Sequence, residues 1–130
     1  MLSFATRRLA EAPDILAPDG SEVRILAATA RGSMAHFLLP AGAVSRPVRH
    51  RGVEELWFFL AGRGMLWRRS ASDEGTVAVA AGISISIPAG TVFQFRATGD
   101  AALEAVAVTM PPWPGAGEAE PAEGIWQATV

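Results

Sequence analysis

The sequence contains no cysteine, lysine, tyrosine or asparagine, and these absences narrow its chemistry before any motif is read. Without cysteine there are no disulfides, thiolate nucleophiles or zinc–sulfur sites. Without lysine and tyrosine, Schiff-base chemistry and phenolic acids are excluded as well. All eleven basic residues are arginine, which reads as compositional bias rather than function. The two histidines, His36 and His50, and the carboxylates are the remaining acid–base groups. A formal net charge of −2 gives no electrostatic reason to expect nucleic acid or an anionic membrane as partner. No apolar run is long enough to span a bilayer. The N-terminal MLSFATRRLAEAPD lacks the continuous apolar core of a signal peptide, so the expected compartment is the cytoplasm. Phosphate-binding glycine loops and G-x-S-x-G elbows are also missing.

What remains is a chain of 130 residues, half of them hydrophobic and 18% charged, enough for one domain with its own core. Strand signals dominate from Val23 onward. Ile83, Ile85 and Ile87 alternate with serines, and Thr91 to Arg96 places Phe93 and Phe95 on one face. Glu55, Trp57 and Phe59 share a face, while Leu56, Phe58 and Leu60 form an equally apolar opposite one. A strand apolar on both sides is expected to be covered on both. One side should line an interior; the other should meet a terminal segment or a second copy of the chain. Turns at Asp19-Gly20, Ala30 to Gly32, Pro40 to Gly42, Ser70 to Gly75 and Pro88 to Gly90 cut the sequence into eight or more short strands, the pattern of a barrel or jelly roll. The reading divides the chain into an N-terminal arm (1–22), a barrel (23–109) and a Pro/Gly-rich segment (110–130). Ser3 to Ala12 is expected to form a short helix with Ser3 as N-cap. The last segment is expected to dock on the barrel or a partner subunit through Trp113, Ile125 and Trp126.

The stretch from Gly42 to Gly62 carries Val48-x-His50, then Glu55, then the closing glycine. Further on, Gly82, Pro88 and Gly90 precede Phe93 and Ala97 at regular intervals. These spacings resemble the two conserved motifs of the cupins. The first runs Gly, five residues, His-x-His, three or four residues, Glu, six residues, Gly. The second runs Gly, five residues, Pro-x-Gly, two residues, His, three residues, Asn. The glycines, Pro88, His50 and Glu55 are in register; Val48 and Phe93 stand where two of the histidines belong, and Ala97 stands at the asparagine.

The resemblance implies an all-β, single-domain, double-stranded β-helix of the cupin or jelly-roll type. In metal-binding cupins three histidines and a glutamate converge inside the barrel. Residues two apart on a strand share a face, so Val48 should point inward beside His50. With only His50 and Glu55 retained, the leading expectation is a metal-free barrel binding a small organic molecule. Its expected ligand-binding residues are Arg46, Val48, His50, Glu55, Trp57, Phe59, Phe93 and Phe95. Arg46 shares parity with His50 and would pair with a carboxylate on the ligand; Arg49 and Arg51 should point away. One alternative is an enzyme with His50 and Glu55 as catalytic groups. It would be either a metal-free acid–base catalyst or a dioxygenase or isomerase holding a divalent transition metal on His50, Glu55 and, if its face turns inward, His36. A dimerisation module is the third possibility. The Leu56/Phe58/Leu60 face points to a homodimer in every case.

Overall fold

Short alternating segments, each closed by a glycine or proline turn, become antiparallel strands in the computed structural model, which describes residues 3–130. The strands are β1 (Ile15–Leu16), β2 (Glu22–Ala28), β3 (Ser33–Leu39), β4 (Val48–His50), β5 (Glu54–Ala61), β6 (Arg63–Arg69), β7 (Glu74–Ala80), β8 (Ser84–Ile87), β9 (Val92–Ala97), β10 (Leu103–Met110) and β11 (Ala119–Pro121). They form a six-stranded sheet in the order β1-β2-β3-β10-β5-β8 and a five-stranded sheet in the order β11-β4-β9-β6-β7. The protein is thus nearly all-β, a jelly-roll sandwich of two antiparallel sheets.

Alternation along β5 and β10 decides what lies between the sheets. Trp57 and Phe59 of β5 and Leu103, Ala105 and Ala107 of β10 are buried there. Leu39, Val48, Leu66, Phe93 and Phe95 complete the core from the other strands. The small alanines of β10 sit directly beside Phe37 and Trp57 on its two neighbours, leaving room for those rings. Burying these side chains contributes on the order of 2 kcal/mol each.

The opposite face of β5 is open: Leu56, Phe58 and Leu60 are each about half exposed. Among the described residues, neither terminal segment covers them. On this outer side also lies His36, whose cross-strand partners Arg24 and Val106 flank it in register. Its Nε2 lies 2.9 Å from Glu104 Oε1. His36 therefore faces away from the interior, because the two-residue period of β3 assigns the inner side to Ala35 and Phe37.

The expected helix at Ser3 to Ala12 does not form; the segment is irregular and exposed. Phe4 and Leu9 bury no common face, and so short a helix is marginal without packing. The arm is instead tied down where Arg24 donates to the Ala10 and Glu11 carbonyls at 2.9 and 2.8 Å. At the other end, β11 pairs with β4, and the last residues cross β9. There the buried Gln94 side chain accepts from Ile125 N and Trp126 N and donates to the carbonyls of Trp126 and Ser45. The Arg96 guanidinium lies 4.9 Å from the Trp126 ring centre.

Candidate functional site

Pairing of β4 with β9 sets Val48 directly opposite Phe93, so the two apolar residues are cross-strand neighbours on the inner face. His50, two residues along β4, projects from the same face and meets the Phe93 ring edge-on at 5.2 Å. Across the interior, β5 supplies Glu55, flanked in register by Thr109 of β10 and Ile87 of β8. His50 and Glu55 are both buried, with His50 Nδ1 3.8 Å from Glu55 Oε1. That gap is too long for a hydrogen bond. Glu55 Oε2 instead accepts from Trp57 Nε1 at 2.5 Å, and His50 Nδ1 has no partner.

The loop between these two groups is held from outside. Glu118 Oε1 accepts from Gly52 N and Val53 N at 2.5 and 2.7 Å. Those two bonds pull the Glu118 carboxyl below its usual range. In turn they fix the chain between His50 and Glu55, and with it their separation.

Burial pushes the two site groups in opposite directions. Desolvation lowers His50 to about 4, only partly offset by the charge of Glu118. It raises Glu55 to about 7 against the Trp57 hydrogen bond, helped by the nearby charge of Asp19. Although their spacing is that of an ion pair, the two are therefore a neutral pair between roughly those values.

They line a cavity of about 220 Å³ between the sheets. Of the expected ligand-binding residues, Val48, His50, Glu55, Trp57 and Phe93 form part of its wall. Phe59 and Phe95 lie behind the Trp57 ring, centre to centre at 6.0 and 5.1 Å, as core. Arg46 does not reach the cavity: its Nε donates to the Val130 main-chain oxygen at 2.8 Å. Most of the rest of the wall was not assigned to it from the sequence, including two rings and a carboxyl. Phe37 enters from β3, and Trp113 packs edge-on against His50 at 5.0 Å from beyond β10. Asp19, read only as part of a turn, is buried, with Oδ1 accepting from Ser21 N and Ser21 Oγ. Burial raises its carboxyl, opposed by those bonds and by Arg46. The Asp-Gly-Ser order is the signal for such an Asx turn, but nothing local says that the turn points inward.

The donor set does not fit a resident transition metal. Two ligand positions carry Val48 and Phe93, Glu55 Oε2 is engaged by Trp57, and His36 is on the far side of its sheet. Among the described residues no group of three or more His, Asp or Glu is arranged to hold an ion. Catalytic zinc sites use three protein ligands and facial iron sites two histidines with a carboxylate. No helix among the described residues is long and apolar enough to cross a membrane.

A family model described as Cupin domain matches residues 35–109, more than half of the chain. Among solved structures, a Bacillus halodurans protein aligns over 76% of each chain with a TM-score of 0.65 and 21% identity. KdgF from Halomonas sp. aligns over 73% of this chain and 82% of its own, with a TM-score of 0.64 and 17% identity. Oxalate decarboxylase from Bacillus subtilis aligns over 72% of this chain and 26% of its own, at a TM-score of 0.64 and 16% identity. At such identities the likeness is one of fold. No curated protein matches the sequence.

Proposed function

From the premise that this chain belongs to the cupin family, we propose that its barrel binds a small organic molecule in the aromatic cavity and works without a metal. The observation that carries this reading is a chamber of about 220 Å³ whose polar groups are few and buried. Pockets of this composition, mostly apolar with a few placed polar atoms, are how proteins take up small ligands. An engineered cavity of about 150 Å³ already accepts benzene.

Elemental analysis of purified protein tests the metal-free state, and near-stoichiometric transition metal would overturn it. The binding itself is checked by filling the chamber. Ala35→Leu adds three carbons to the wall, and ligand affinity is expected to fall at least tenfold while the thermal midpoint holds or rises. Undiminished affinity in that variant would move the site elsewhere.

One observation favours a second reading, metal-free acid–base catalysis. Between about pH 4 and about pH 7 the titrating proton resides on Glu55 and not on His50, so an acid and an unprotonated base stand side by side. Any turnover should then show a pH limb near 7 that Glu55→Gln removes. The proposal includes a homodimer through the open Leu56/Phe58/Leu60 face and a cytoplasmic location. A monomer at high concentration by sedimentation would exclude the dimer.

A further inference from the structure

The charges and rings around the cavity are unevenly distributed. Two carboxyl groups, Asp19 and Glu55, belong to its wall, and no arginine does. The chain has no lysine, and the arginine nearest Asp19 in effect, Arg46, is engaged by Val130. Around the carboxyls stand Phe37, Trp57, Phe93 and Trp113. The Phe93 ring is perpendicular to Trp57 at 5.7 Å, and Phe37 is tilted against it at 5.6 Å. Ring faces carry negative charge density and attract cations, most strongly where water is excluded.

His50 adds a second, independent sign. Its Nδ1 is buried and unpartnered, and it faces Glu55 Oε1 across 3.8 Å. Once Glu55 is ionised, its oxygen and an imidazole nitrogen bearing a lone pair are both acceptors, and the gap between them leaves a place for a group with several N–H donors. We propose that the ligand is a small organic cation, an ammonium on an apolar body, held between Glu55, Asp19 and His50 Nδ1 with its carbon groups against Trp57, Phe93, Phe37 and Trp113. This rests on the binding reading above and narrows it to one charge class.

The energetics favour a cation over its competitors. A buried carboxyl without a counter-charge keeps its proton, and an entering ammonium supplies that counter-charge. An anionic ligand meets two acids, while Arg46, whose charge reaches Asp19, lies outside the wall and is engaged by Val130. The groups facing Glu55 are His50 from β4 and Asp19 from the loop before β2; Arg46 and Glu118 stand behind these two. Thr109 and Ile87, its neighbours in the sheet, carry no charge.

The test compares three molecules with one ring and different heads: cyclohexylammonium, cyclohexanol and cyclohexanecarboxylate, titrated against the tryptophan fluorescence of the whole protein. At pH 8 the ammonium should bind at least tenfold more tightly than the alcohol, and the carboxylate should not bind. Alkylammonium groups stay charged well above this pH. Lowering the pH to 6 protonates Glu55 and should weaken the ammonium about tenfold, leaving the alcohol unchanged. Glu55→Gln should remove both the preference and its pH dependence, and Asp19→Asn should weaken the ammonium alone. Equal binding of alcohol and ammonium, or tightest binding of the carboxylate, overturns the cation inference and leaves a binding cavity. Failure of all three to bind overturns both readings. Should the variants not fold, the comparison of heads on the unaltered protein still decides.

Discussion

His50 and Glu55 contribute to stability with opposite signs as pH changes. The Glu55 carboxyl is raised on folding, from 4.5 to about 7, so the native state binds the extra proton and stability from this group is lost as pH rises through that interval. His50 is lowered on folding, from 6.5 to about 4, so its contribution is lost as pH falls. Between about 4.5 and 6.5 the two slopes, each at most about 1.4 kcal/mol per pH unit, oppose one another. The unaltered protein should therefore show little change in unfolding free energy from this pair across that range. Glu55→Gln removes one of the two opposing slopes: relative to the unaltered protein, urea melts should then show stability rising with pH from 4.5 to 6.5. His50→Phe should give the reverse, a fall over the same interval. Parallel curves for all three proteins would mean that the pair is solvated rather than buried.

At the scale of strands, the pairing of β4 with β9 makes a prediction about metal. Val48 and Phe93 are in register on the inner face beside His50, so replacing both restores ligands at positions the backbone already aims inward. The double variant Val48→His with Phe93→His should bind one divalent transition metal per chain, seen by elemental analysis and by a rise in thermal midpoint with added metal. The unaltered protein should show no such rise. The turns make another prediction. Gly62, between β5 and β6, has φ +80°, and a Cβ there would run into the Ala102 carbonyl. Gly82 has φ +92° but open space around it. Gly82→Ala should cost about 1 kcal/mol of conformational strain, whereas Gly62→Ala carries that cost plus a backbone clash, for a total above about 2 kcal/mol by chemical denaturation.

The same strands show why parts of the site could be read from sequence and others could not. A two-residue period assigns faces within each strand, and the resemblance to the cupin motifs is what placed Glu55, Trp57, Val48, His50 and Phe93 in one interior. Parity does not say how far along the sandwich a side chain sits. Phe59 and Phe95 share the inner face with Trp57 yet fall behind it as core, and Arg46 has the right parity but lies before β4 begins. His36 needed the register of β3 against β10, a contact between strands more than sixty residues apart, before its face was known. Asp19, Phe37, Trp113 and Glu118 reach the site through long-range packing that leaves no local pattern. The arm failed as a helix for a similar reason. Ser3 offers an N-cap, but tertiary packing, which stabilises most helices, is missing beneath the segment.

For the molecule as a whole, the C-terminal segment acts as a clasp between the sheets. It leaves β10 of the first sheet, passes Trp113 over His50, sends Glu118 to the loop before β5, and pairs as β11 with β4 of the second sheet. Within its last residues, Ile125 and Trp126 are fixed by one side chain, while Thr129 and Val130 bond to Val44 and Arg46. Gln94, fully buried on β9, accepts from the N–H groups of Ile125 and Trp126 and donates to two carbonyls, one of them on Trp126 and the other on Ser45 before β4. Replacing it with alanine leaves the buried Ser45 carbonyl and three part-buried groups of Ile125 and Trp126 without partners at about 1 kcal/mol each, so Gln94→Ala should cost on the order of 3 kcal/mol. The loss should not be uniform. Ile125 and Trp126 lose their anchor, while Thr129 and Val130 keep their bonds to Val44 and Arg46, Ala119 to Pro121 keep their ladder with β4 and Glu118 keeps its two backbone bonds. Amide exchange in the variant should rise by at least a hundredfold at Ile125 and Trp126 and by far less at Val53 and Ala119. Ligand binding should then survive with only a modest change, because Trp113 and the His50–Glu55 loop belong to the half of the segment that stays attached. Equal deprotection along the whole segment would show instead that the clasp opens as one unit, and that the cavity depends on Gln94 as much as on its own wall.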